Sequence, residues 1–128
     1  MENKKYKEAK YWHPDDMEWL PVYDDHAHKF LYDKRMIAAE DEGVIVNFTR
    51  YEKGYMKPAH THTCSHGMYV IKGTLRTDEG DFGPGTFVWH TAGCLCTHGA
   101  TENEDVEFLF IANKEFDIHY LSDSEVES

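Results

Sequence analysis

Three histidines, His60, His62 and His66, fall within seven residues of one another in the stretch HTHTCSHGMYVIKG, just ahead of a run rich in β-branched and aromatic residues. Imidazole nitrogens bind divalent transition metals at about 2.0–2.1 Å, and three donors held on rigid strands leave a coordination position open. In an extended strand, residues two apart share a face. His60 and His62 are therefore expected to project side by side, with Met56 and Pro58 on the same side. His66 follows a bend at 63–65 and opens a strand that continues through Met68 and Val70. Two imidazoles from one strand and a third from its neighbour can then meet at one point. An isolated pair of histidines two apart is commonly a solvated loop feature, whereas three on a β background form the pattern that metal ligation needs.

Further donors lie downstream. The three cysteines, Cys64, Cys94 and Cys96, are an odd number crowded near the histidines, which suggests reduced thiols or ligands rather than a disulfide framework. Cys94 and Cys96 are too close along one strand for an unstrained disulfide. Cys96 and His98 are two apart and share a face, so either could be a fourth donor. A thiolate would favour zinc, and an imidazole suits iron or nickel. His90 ends the run TFVWH and, like His98, could serve as an acid or base at the pocket rim; a strand-end histidine bonded to backbone is the plainer reading. His26 and His28 form a second pair two apart among acidic neighbours, with no third donor nearby, and read as surface residues of an edge strand.

The elements that must position these groups are short and β-like. The runs 44–51, 68–73, 86–90 and 106–113 are rich in β-branched and aromatic residues, with turn signals at Asp41, Glu52 and Asp78 between them. No stretch keeps a helical apolar period over three turns, so the pattern predicts an all-β sandwich or barrel with one short helix near 15–19. With 128 residues and 41% hydrophobic content, the chain suits one compact domain. That domain is expected at 11–121 with its core at 44–113, between a loose arm at 1–10 and an acidic tail at 122–128. Trp12, Trp19 and Tyr23 lie in a polar segment expected to wrap over the barrel mouth. The run FLFIA is apolar on both strand faces, which calls for a second covering layer and points to a homodimer. A net charge of −11 argues against nucleic acid and anionic membrane surfaces and leaves small molecules or proteins as partners. No window is apolar enough for a membrane span, and the first residues lack the apolar core of a signal peptide, so a cytoplasmic location is expected.

The spacing Gly54, His60, His62, His66, Gly73 resembles the first motif of the cupin superfamily, with His66 standing where that family usually has glutamate. The second motif can be traced through Gly85, Thr91, Gly93, Cys96 and Ala100. Its glycines are kept, while Thr91 replaces the family's proline, Cys96 its fourth ligand histidine and Ala100 its asparagine. The resemblance implies a small antiparallel jelly-roll barrel, the double-stranded β-helix, holding one divalent transition metal and often dimeric. The segments HKFLYD, GVIVNFTRYEKGYMKPAHTH and DEGDFGPGTFVWHTAG further resemble a subgroup that includes 2,4'-dihydroxyacetophenone dioxygenase and the metal-binding cupin domain of anti-sigma factors. Two functions follow. One is a metal-dependent enzyme acting on a small organic molecule, for instance an Fe(II) dioxygenase cleaving a dicarbonyl or hydroxy-aryl ketone. The other is a non-catalytic metal or small-ligand sensor. Iron, zinc and nickel all stay open, because replacing the carboxylate by His66 leaves a neutral three-nitrogen face, whereas a Cys96 thiolate restores one negative charge.

Overall fold

The computed structural model describes residues 9–113 and 117–120, the side chain of Asp41 excepted. The tail expected at 122–128, and all but the last two residues of the arm expected at 1–10, lie outside the described residues. Within them run β1 (Leu20–Asp24), β2 (Lys29–Ile37), β3 (Ile45–Tyr51), β4 (Met56–Thr61), β5 (His66–Lys72), β6 (Leu75–Thr77), β7 (Gly80–Phe82), β8 (Phe87–His90), β9 (Cys96–Ala100), β10 (Val106–Ala112) and β11 (His119–Tyr120). One helical turn, α1 (Ala39–Glu42), joins β2 to β3. A six-stranded sheet of order β1-β2-β3-β10-β5-β8 faces a five-stranded sheet of order β11-β4-β9-β6-β7, and the pairings are antiparallel. The fold is thus the expected all-β jelly-roll barrel.

The centre of the six-stranded sheet follows from alternation. In β10, Val106, Phe108, Phe110 and Ala112 turn inward and are buried, while Glu107, Leu109 and Ile111 are half-buried on the other face. Phe108 packs edge-on against Tyr51, which stacks on Tyr55, and Met68, Val70 and Leu75 complete the core. Burying each such side chain stabilises the fold by roughly 1.5–3 kcal/mol. The motif glycines Gly54, Gly73, Gly85 and Gly93 all have positive φ, between 81° and 92°, at turns where a side chain would be strained. Gly99 has a different role, because a Cβ there would sit 2.0 Å from the Tyr55 carbonyl oxygen. Only hydrogen lets β9 come this close to the start of β4.

Several local expectations are corrected. The short helix near 15–19 is a three-residue 3-10 turn at Pro14–Asp16, capped by the His13 ring, and α1 forms where none was foreseen. The stretch from Asp78 is not a single turn, since Gly80–Phe82 forms β7 and pairs with β6. His26 and His28 lie in the hairpin turn between β1 and β2 rather than on a strand. There His28 has φ 58°, and the His26 ring stacks on Tyr120 at 3.6 Å. Trp19 does not cover the mouth. It stacks on Phe48 of β3, on the face opposite the inward-turned Asn47, Thr49 and Tyr51, with the Lys34 ammonium 4.3 Å from its ring centre. The two-sided apolar sheet is therefore covered in part by the chain itself. Further along, on β5 and β8, Tyr69, Ile71, Phe87 and Trp89 remain exposed. Among the described residues, no helix is long and apolar enough to cross a membrane.

Candidate metal centre

The register of β4 against β9 sets His60 opposite Cys96 and Lys57 opposite His98. A bulge between Lys57 and His60 breaks the simple alternation. As a result Lys57 and His60 are both buried, while Met56 and Pro58 are only half-buried and do not share the His60 face as expected. Donor atoms of His60, His62, Cys96 and His98 all lie within 4.8 Å of one another, and all four residues are buried. His60 Nε2 lies 3.1 Å from His98 Nε2, and Cys96 Sγ lies 3.7 Å from His60 Nε2. Cys96 and His98, read from sequence as alternatives, come together in one group.

His66 lies beside this group and outside it. Its ring centre is 4.7 Å from that of His62, and its Nε2 meets His90 Nδ1 at 3.1 Å. His90 is thus bonded to a neighbouring imidazole across the β5–β8 pair rather than to backbone. Cys94 sits in the turn before β9, where its amide donates to the Thr91 carbonyl, and it takes no part in the group. Among the described residues the cysteines form no disulfide.

Hydrogen bonds decide which nitrogen each imidazole offers. His60 Nδ1 donates to the Pro58 carbonyl at 2.6 Å, and His62 Nδ1 donates to the Asp117 carbonyl. A carbonyl only accepts, so each Nδ1 carries the proton and each Nε2 presents a lone pair, the tautomer that ligates. His98 Nδ1 lies 2.8 Å from the Tyr51 hydroxyl, which can donate or accept and so serves His98 in either tautomer. Burial lowers the pKa of His60 to about 4 and of His66 to about 3, and lowers those of His62, His90 and His98, so the imidazoles are neutral at pH 7. Burial also pushes the Cys96 thiol up to about 12, so a metal must displace its proton to gain the sulfur. Three neutral imidazoles and one thiol fit a borderline divalent ion, and this cluster could hold one.

Residues 7–117 match the family model of the ChrR cupin-like domain. The chain belongs to this cupin family. No curated protein gives a significant sequence match to it. Solved structures similar to this cupin include the polyketide cyclase RemF from Streptomyces resistomycificus, 20% identical, with a TM-score of 0.76 over 94% of this chain and 92% of that one. An RmlC-like cupin protein from Ralstonia eutropha JMP134 is 21% identical, with a TM-score of 0.74 over 94% and 76% of the two chains. A proposed acetylacetone dioxygenase from Methylibium petroleiphilum PM1 is 13% identical, with a TM-score of 0.76 over 92% and 84%. At such identities these likenesses establish the shared fold.

Beside the cluster, inside the barrel of this cupin, lies a cavity of about 200 Å³ that His98 and Tyr51 border. Val22, Leu31, Phe108 and Phe110 give it apolar walls, and Asp33, Thr49 and Lys57 add polar groups. Sequence reading passed over Tyr51, Asp33 and Lys57. Their one signal was the polar alternation of Asn47 and Thr49 with Val46 and Phe48 in a strand otherwise apolar. At the cavity's edge Lys57 Nζ is paired with Asp24 Oδ2 at 3.0 Å, and the Tyr55 hydroxyl donates to the same oxygen at 2.6 Å. Burial opposes ionisation of Asp24, yet these two partners hold it well below the usual carboxylate range.

Two outcomes follow. His60→Ala, His62→Ala and His98→Ala each lower metal affinity by more than the roughly 10–100-fold typical of groups that only orient a ligand. Cys96→Ser lowers it less, because that thiol must first lose a tightly held proton. Chelator competition with metal analysis of purified protein checks the order, and full metal content in the His60→Ala, His62→Ala double variant would exclude the centre. Secondly, above pH 6.5 the histidines are neutral in folded and unfolded chains alike and contribute nothing to pH dependence. Below it the unfolded chain takes up protons that buried His60 refuses until about pH 4. The metal-free protein therefore loses stability as pH falls through that window, by about 1.4 kcal/mol per pH unit for each such histidine. Urea melts of chelator-treated protein across the window read the slope, and a flat profile contradicts neutral burial.

Proposed function

We propose that this cupin is a metal-dependent enzyme acting on a small chelating ketone, a β-dicarbonyl or a hydroxy-aryl ketone, held in the barrel cavity. One observation carries this reading: His98 belongs at once to the donor cluster and to the wall of a chamber large enough for a small organic molecule. A purely structural metal site needs no chamber beside its ligands. His60, His62 and His98 would hold the ion. A divalent metal there supplies Lewis acidity toward a pair of ketone oxygens and, as iron, access to oxygen chemistry. The chain's own groups do the rest. Phe108, Phe110 and Leu31 wall the bound ketone with apolar surface, and Tyr51 holds the His98 ring. The names of two similar structures, a polyketide cyclase and a proposed acetylacetone dioxygenase, both involve compounds with neighbouring carbonyls and support this substrate class.

Cys96 favours a second reading. With its sulfur 3.7 Å from His60 Nε2, it could complete a four-donor shell and make the domain a zinc-holding sensor. Oxygen uptake by anaerobically iron-loaded protein given acetylacetone or 2'-hydroxyacetophenone separates the two. We expect uptake above that of free Fe(II), abolished in His62→Ala and retained in Cys96→Ala. No uptake, with all four protein donors on the metal, moves the assignment to the sensor. We further propose a homodimer joined through the exposed Tyr69, Ile71, Phe87 and Trp89 on β5 and β8. Sedimentation at tens of micromolar is expected to give a dimer that Trp89→Lys dissociates, and a strict wild-type monomer refutes it.

A further inference from the structure

We infer that Asp33 is the base that takes a proton from the carbon next to the carbonyl of a ketone bound in the barrel cavity. This rests on the enzyme reading above and adds to it the group that moves the proton and the substrate's defining property, an acidic C–H bond.

Placement is the first support. Besides the cavity bordered by His98, a second of about 550 Å³ extends past Arg35 and Ile45 to α1. Asp33, Asn47 and Phe110 line both, so Asp33 belongs to the wall that the two cavities share.

Orientation is the second. Asp33 on β2 sits directly opposite Thr49 on β3, and the Thr49 hydroxyl donates to Asp33 Oδ1 at 2.9 Å. That bond fixes one oxygen. Among the described residues no ion pair engages the carboxyl, so Oδ2 is available for a substrate.

The contrast with Asp24 is the third. Both carboxyls lie against the barrel interior, but Asp24 is neutralised by Lys57 and Tyr55 and has little basicity left. Burial raises the Asp33 pKa, against the hydrogen bond from Thr49 and the charges of Arg35 on its own strand and Lys57 on β4. The remaining titratable groups around this cavity are Tyr51 on β3 and His98 on β9. Two carboxyls whose environments push their pKa values apart suit different tasks, and the more basic one is the proton acceptor.

The step balances within the cavity. The C–H bond breaks, an O–H bond forms on Asp33, and the electron pair passes into the carbonyl to give an enolate. In D2O the Asp33 O–H exchanges its proton for a deuteron from solvent, and in the reverse step Asp33 delivers that deuteron to carbon, so each such cycle replaces one hydrogen by deuterium with no oxidant involved.

The test follows that exchange by proton NMR at the methyl group of 2'-hydroxyacetophenone, using zinc-loaded full-length protein under nitrogen. Wild type is expected to exchange faster than zinc and buffer alone. Asp33→Asn, which keeps an acceptor for Thr49, is expected to be slower by about 10²–10⁴-fold at unchanged metal content, and Asp33→Glu to recover part of the rate. Thr49→Val removes a donor that favours the carboxylate, so the pH of half-maximal exchange should rise, a shift that a structural role would not produce. If Asp33→Asn does not fold, that shift decides the matter. Exchange that survives in folded Asp33→Asn, or a midpoint unmoved in Thr49→Val, overturns the assignment. Wild type that consumes oxygen with the ketone when iron-loaded, but exchanges no hydrogen, overturns it while leaving the enzyme reading intact; wild type that does neither removes both.

Discussion

The close pairing of β4 with β9 governs the interior of this molecule. His60 reaches the centre from one strand, Cys96 and His98 reach it from the other, and the register that sets His60 opposite Cys96 brings the two sets within bonding distance of a common ion. That register depends on Gly99, where a side chain would run into the Tyr55 carbonyl, and on the bulge that turns His60 inward after Lys57. The six-stranded sheet supplies the opposite wall, with Tyr51 of β3 reaching across to the His98 ring. The candidate donors and the cavity are thus two faces of one packing arrangement, which places His98 in the cluster and in the chamber wall at once.

Burying this many polar rings is unfavourable unless each finds a partner. Here the rings stay neutral, and backbone carbonyls at Pro58 and Asp117 take up the Nδ1 protons. Charges inside the barrel are handled differently. Lys57 and Asp24 neutralise one another at the cavity's edge, whereas Asp33 is only hydrogen-bonded. Among the described residues the interior therefore contains one carboxyl held in an ion pair and one held by a hydrogen bond without an ion pair.

What could be read from sequence was what depends on local spacing. The histidines at 60, 62 and 66, the turn glycines with positive φ, and strands β3, β5, β8 and β10 all announce themselves by periods of two and by residue type. Strands β1 and β2 were hidden, because Lys29, Asp33, Lys34 and Arg35 interrupt the apolar alternation that marks a half-buried strand. The bulge in β4 was invisible too, since a one-residue change of face is set by the partner strand. His66 occupies the family's glutamate position, and its Nε2 meets His90 across a strand pair that its own neighbours in sequence do not reveal. Tyr51, Asp33 and the Asp117 carbonyl act through contacts 16 to 55 residues distant, which no window of sequence contains.

The bond from His62 to the Asp117 carbonyl also bears on the order of events during synthesis. His60, His62, Cys96 and His98 all leave the ribosome before residue 117, the one whose carbonyl sets the His62 tautomer. Until that segment docks beside β4, His62 can rotate and offer either nitrogen, and an ion arriving early meets an imidazole of undefined orientation. For any ion held by this cluster, the orientation of the His62 ring therefore belongs to the finished barrel rather than to the nascent histidine cluster.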